Sequence, residues 1–150
     1  MQLIRRDAEH GARIVEDEWA PSDILSLEQL HARGAAGAAL KIDGSADPEQ
    51  LAPHLDYLRL VVIEVPKFTD GRAYSLARVL RDQHGYQGEL RAVGHVLREQ
   101  LFYLFRCGFD SFVLAEGRDL EDALSAFEDF SVTYQPAVDH QQPIWRRRSP

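Results

Sequence analysis

The chain is poor in the residues that build covalent or metal scaffolds. A single cysteine, Cys107, among 150 residues rules out an internal disulfide. The six histidines stand at 10, 31, 54, 84, 95 and 140, with no HExxH and no CxxC, so no zinc centre is expected. Apolar runs such as 60–63 fall far short of the roughly 20 residues of a membrane span. The opening MQLIRRDAEHGARIVEDEW has no apolar stretch of the export type, and the expected location is a reducing cytoplasm. Gly-x-Gly-x-x-Gly, the Walker phosphate loop and the Gly-x-Ser-x-Gly elbow are missing, and no cofactor is evident.

What is present fits one domain of ordinary size, with 45% hydrophobic and 27% charged residues. We expect a single α/β domain over residues 1–135 and a mobile tail over 136–150, which holds three prolines and Arg146, Arg147 and Arg148. The net charge of −7 argues against nucleic acid and anionic membranes as partners. The charge is unevenly spread: 72–106 carry six arginines against Asp82, Glu89 and Glu99, whereas 107–139 carry Arg118 against eight acids. The basic segment could receive an anion, although Arg78 and Arg81 also suit a solvated face of an amphipathic helix.

Short segments rich in β-branched or aromatic residues recur at 23–27, 38–42, 60–65, 89–94, 111–115 and 131–135, each bounded by Gly, Pro or Asp, and they are expected as strands. Between them, Ala73, Leu76, Ala77 and Leu80 form one apolar helical stripe, and 96–107 and 120–130 repeat the pattern. Asp119 is the expected cap of the last helix, Asp47 before Pro48 that of a short one, and 28–36 form a weak helix. Strands alternating with helices predict about five or six parallel strands in successive βα units. The pattern leaves open a partial (β/α) barrel or an open flavodoxin-like sheet. Residues 12–19 are expected as a small strand or hairpin arm outside this repeat.

In such folds ligands bind beyond the carboxyl ends of the strands. Two segments qualify. After the strand at 60–65, Lys67, Thr69, Asp70, Gly71, Arg72 and Ser75 surround a helix start and suit a small oxyanion or phosphate group. After the strand at 89–94 come His95 and Arg98. Tyr74, Glu64 and His95 are the candidates for proton transfer, and Cys107, at a helix C-terminus, is expected to be a packing residue.

PKFTDGRAYS at 66–75, GYQGELRAVG at 85–94, VLREQ at 96–100, RCGFD at 106–110 and FSVTYQP at 130–136 together resemble the bacterial family DUF934, from about Ala12 to Pro136. The family is described as an oxidoreductase of sulfite reduction. The resemblance implies an accessory protein or oxidoreductase component of assimilatory sulfate or sulfite reduction, partnered with sulfite reductase or another sulfur-assimilation enzyme. A free-standing small (β/α) enzyme and a non-catalytic sensor of a sulfur metabolite are the alternatives. His95 departs from the Asp or Asn that relatives tend to carry, and the segment 31–37 is shortened.

Overall fold

Leu60-Val-Val-Ile at the start of a six-residue strand has apolar side chains on both faces, the signature of a strand flanked by parallel neighbours. In the computed structural model, which describes residues 1–7, 11–33, 38–67 and 71–133, this segment lies near the middle of a seven-stranded mixed sheet. The strands are β1 (Gln2–Asp7), β2 (Gly11–Glu16), β3 (Ile24–Leu25), β4 (Ala39–Asp43), β5 (Leu60–Val65), β6 (Glu89–Gly94) and β7 (Ser111–Phe112). The helices are α1 (Leu27–Arg33), α2 (Pro48–Leu51), α3 (Arg72–Asp82), α4 (Leu101–Cys107) and α5 (Leu120–Thr133). Spatial order is β2-β1-β7-β6-β5-β4-β3.

Strands β3 to β7 are parallel and stand in chain order, while β1 runs antiparallel to both β2 and β7. The sheet therefore has seven strands rather than five or six, and it is not purely parallel. The arm expected at 12–19 is a hairpin, but it begins earlier, spanning Gln2 to Glu16, and it joins the sheet through β1. Its first strand, QLIRRD, escapes a search for apolar alternation because only Leu3 and Ile4 are apolar.

Consecutive parallel strands joined by crossovers of one hand place their helices on a single face. Alternate strand residues Ile4, Leu40, Ile42, Val61, Ile63, Leu90, Ala92 and Phe112 form one core with Leu30, Leu76, Leu80, Leu104 and Phe127 of the helices. The opposite face carries Ala39, Leu60 and Val62 as a small second cluster, partly covered by Trp19. Because β2 and β3 lie at opposite edges, residues 17–23 must cross this second face. The crossing is pinned where Asp17 meets the buried Arg91 of β6 at 3.1 Å. Arg91 also binds Glu89 at 2.8 Å, the Ser111 hydroxyl donates to Glu89 at 2.7 Å, and Arg5 of β1 reaches Glu89 at 3.0 Å. The group holds two guanidinium groups and two carboxylates, so its charges balance.

Several boundaries shift for local reasons. Only Ile24 and Leu25 of 23–27 pair as a strand, because Ser26 and Gln29 cap each other's backbone N–H groups in the Ser-x-x-Gln manner and start α1. Helix α4 begins at Leu101, behind a 3-10 turn over Arg98–Gln100. The expected strand at 111–115 keeps only Ser111 and Phe112. Residues 131–133, expected as a strand, continue α5, since β propensity yields to an amphipathic helix already under way; 134–150, including the expected tail, lie outside the described residues. Asp119 and Asp47 cap α5 and α2 as expected.

Arg81 is buried, contrary to the solvated face expected for it. It donates to the carbonyl oxygens of Gly108 at 2.9 Å, Tyr86 at 2.8 Å and Gly88 at 2.7 Å. A Cβ on Gly108 would lie 2.6 Å from Arg81 Cγ, so this glycine makes room for the arginine stem. Arg81 thus ties the end of α3 to the loops entering β6 and β7. Removing one partner of a buried ion group leaves the others uncompensated. Arg91→Met is accordingly expected to lower stability by about 3–5 kcal/mol in urea denaturation, with Glu64→Gln, exposed on the same face, within about 0.5 kcal/mol of the parent chain.

Candidate functional site

The carboxyl ends of β4, β5 and β6 open into three loops, and the start of α3 lies among them. Its N-cap, Gly71, has a left-handed backbone and no side chain to cap the first turn. The first helical bond runs from the Ser75 N–H to the Gly71 carbonyl at 3.0 Å. N–H groups at a helix start carry partial positive charge and suit an anion. Arg72 follows, exposed, and Lys67 is exposed two residues beyond β5. Thr69 and Asp70 lie outside the described residues.

The β4 loop comes within backbone contact of this helix start. A Cβ on Gly44 would stand 2.6 Å from the Ala73 nitrogen and 2.8 Å from the Arg72 carbonyl carbon, so only glycine fits. That approach sets Asp43 beside Arg72. The Asp43 carboxylate accepts from both the hydroxyl and the backbone N–H of Ser45, the latter at 2.8 Å. These bonds, with Arg72 a smaller contributor, hold its pKa below the usual carboxylate value. Sequence reasoning missed Asp43, Gly44 and Ser45; an Asp-Gly-Ser turn directly after a strand was the available signal.

The remaining candidates disperse. Glu64, an acid in an apolar strand, is not at a strand edge: β5 has a neighbour on each side, and the side chain projects from the helix-free face, 3.8 Å from Lys41. In the ladder Glu64 stands beside Asp43 and Val93. Tyr74 turns to the α3–α4 contact, its ring 5.2 Å from that of Tyr103. Burial, then Cys107 and Tyr103, raises its pKa above the ordinary phenol value, so at neutral pH it can donate a hydrogen bond but is no base. The backbone of His95 donates to the Val65 carbonyl at 2.9 Å, and its side chain is half-buried. Arg98 reaches α5, donating to the Asp122 carbonyl at 3.1 Å and the Ser125 hydroxyl at 3.3 Å. Cys107 is buried at the end of α4.

The structure thus brings Gly71 and Arg72 together with Asp43, and it directs Arg98 and Tyr74 to neighbouring helices. Among the described residues no three metal-ligating side chains converge, and no helix is long and apolar enough to cross a membrane. A carboxyl with a lowered folded pKa adds stability above its unfolded value, and that stability fades as pH falls through the folded value. Ser45→Ala is expected to move the Asp43 titration upward toward the ordinary carboxylate range in a carbon-detected NMR titration; an unchanged midpoint would remove Ser45 from this account.

No curated protein and no solved structure matches the chain. A family model described as "Bacterial protein of unknown function (DUF934)" matches residues 39–145, which run from β4 through α5 and include every residue of the site just described. The match covers more than half of the sequence, and the chain belongs to the DUF934 family.

Proposed function

We propose that the protein is an accessory component of assimilatory sulfate or sulfite reduction that holds a small oxyanion at the start of α3. The observation that carries the binding half of this reading is Gly71, an N-cap without a side chain, followed by the exposed Arg72. A sulfate or sulfite oxygen would accept from the first-turn N–H groups while the guanidinium supplies charge. Asp43 tempers the site, since its carboxylate draws on the same arginine. The sulfur-assimilation half rests on the family resemblance, and with it a cytoplasmic location and sulfite reductase as the partner. The protein needs no catalytic residue of its own for this role.

A free-standing enzyme is the second reading, favoured by Glu64 beside Lys41 at the open end of the central strand. We read β3 to β7 as a partial (β/α) unit rather than a flavodoxin-like one, because their order never reverses and so offers no switch-point crevice.

Calorimetric titration with sulfate and with sulfite tests the site. Arg72→Ala is expected to weaken binding about tenfold, the loss of roughly 1.4 kcal/mol, and Asp43→Asn to tighten it by removing a competing charge. Equal affinity in all three proteins would place the anion elsewhere, and no binding by the parent chain would sink the oxyanion reading. Size-exclusion chromatography with the host's sulfite reductase tests the partner: co-elution is expected, and separate elution with unchanged sulfite turnover sinks the accessory role.

A further inference from the structure

The two edges of the sheet are finished differently. β3 offers only two residues, and a short edge strand gives a foreign strand little to pair with. β2 offers six, Gly11–Glu16, in unbroken register with β1. It has no proline and no bulge, and its two charged residues, Arg13 and Glu16, are held by Asp7 and by the N-terminal amine. The direction of its free backbone groups follows from two hydrogen bonds. The Arg6 N–H donates to the Asp110 carbonyl on the β7 side at 2.9 Å, and the Asp17 N–H donates to the Met1 carbonyl at 2.8 Å. Even-numbered residues of β1 thus turn toward β7 and odd-numbered ones toward β2, where their partners are Gly11, Arg13 and Val15. Ala12, Ile14 and Glu16 therefore aim their N–H and carbonyl groups outward, and among the described residues no strand pairs with them.

We propose that this edge pairs with the β2 edge of a second copy, antiparallel, about a two-fold axis at Ile14. In that register Ile14 faces Ile14, and Ala12 faces Glu16 in both directions, so all three outward residues of each strand are used. Isologous contact of this kind closes on itself and adds no further edge. Ala12 and Ile14 already pack against the helix-side core, and their meeting at the axis joins two such cores. On the other face Arg13, paired with Asp7 at 2.9 Å, stands across from Val15 of the second copy. A two-fold axis at Arg13 would oppose like charges and leave Glu16 unmatched, and one at Val15 would leave Ala12 facing Glu18, beyond the strand.

Light scattering on the full chain during size-exclusion chromatography tests this pairing. The parent chain is expected at twice 17.0 kDa, and Ile14→Pro, which removes an outward donor and keeps the ladder to β1, at the single mass with an unchanged circular dichroism spectrum. Two milder variants test the register without touching the backbone. Val15→Glu places a carboxylate opposite Arg13 twice per dimer and is expected to lower the dissociation constant about fivefold, while Val15→Arg raises it by a similar factor. A single mass for the parent chain across the micromolar range overturns the proposal. So does a dimer whose affinity ignores both Val15 substitutions, or one captured only by a different protein's strand.

Discussion

The pairing of Arg91 with Asp17 answers a problem set by topology. β2 and β3 are adjacent in sequence and opposite in space, so the chain between them has to cross the sheet on the face the helices leave bare. Seven residues, 17–23, span at most about 25 Å when extended, less than the roughly 29 Å of six inter-strand spacings laid flat at about 4.8 Å each, so the sheet has to twist or curl for its two edges to be joined this way. The crossing segment is short and ends in a 3-10 turn at Pro21–Asp23. Such a segment needs an anchor part-way, and Arg91 supplies it from the middle of β6 while Glu89, Ser111 and Arg5 balance its charge. Without that anchor Trp19 would lose its seat over Ala39, Leu60 and Val62.

The position of the crossing decides which part of the sheet is left open. It leaves β2 at the carboxyl end of the parallel strands and reaches β3 beside Ala39, at their amino end. Lys41, Asp43 and Glu64, nearer the carboxyl ends of β4 and β5, are exposed for this reason. An acid in an apolar strand invites a catalytic reading on sequence grounds, yet here the open face already accounts for Glu64. The same geometry gives the start of α3 an acidic neighbour that composition conceals. Residues 72–106 are basic in sum, but the loop that touches Arg72 comes from β4 and brings Asp43.

Legibility in the sequence followed the range of the interactions. β5 and β6 match their expected limits of 60–65 and 89–94: β5 declares itself in the apolar run Leu60 to Ile63, and β6, despite Glu89 and Arg91, in its short segment bounded by Gly88 and Gly94. α3 is legible from its stripe and from Gly71. β1 was hidden: its two apolar residues point to opposite faces, and its charged ones join a network whose other members lie on β6 and beyond β2. Arg81 was hidden for the same reason, since the carbonyls it satisfies come from loops five to 27 residues away. At the site, the loop at 66–75 was found from local chemistry, whereas Asp43 and Gly44 enter only through contact between two βα units.

The two buried arginines divide the molecule's labour along the strand axis. Arg81 closes the amino ends of β6 and β7 by filling carbonyl acceptors that a loop would otherwise leave unsatisfied. Arg91 fixes the middle. Neither reaches the carboxyl ends, where Gly71, Arg72 and Asp43 are exposed or half-exposed and held by turn hydrogen bonds and one glycine contact. Rigid support at one pole and lightly held polar groups at the other is the arrangement in which loops can vary without loss of the fold. For the proposed anion site, a helix start needs little scaffold: its backbone N–H groups are positioned by α3, whose apolar stripe is locked into the core, and need no further support to keep their aim.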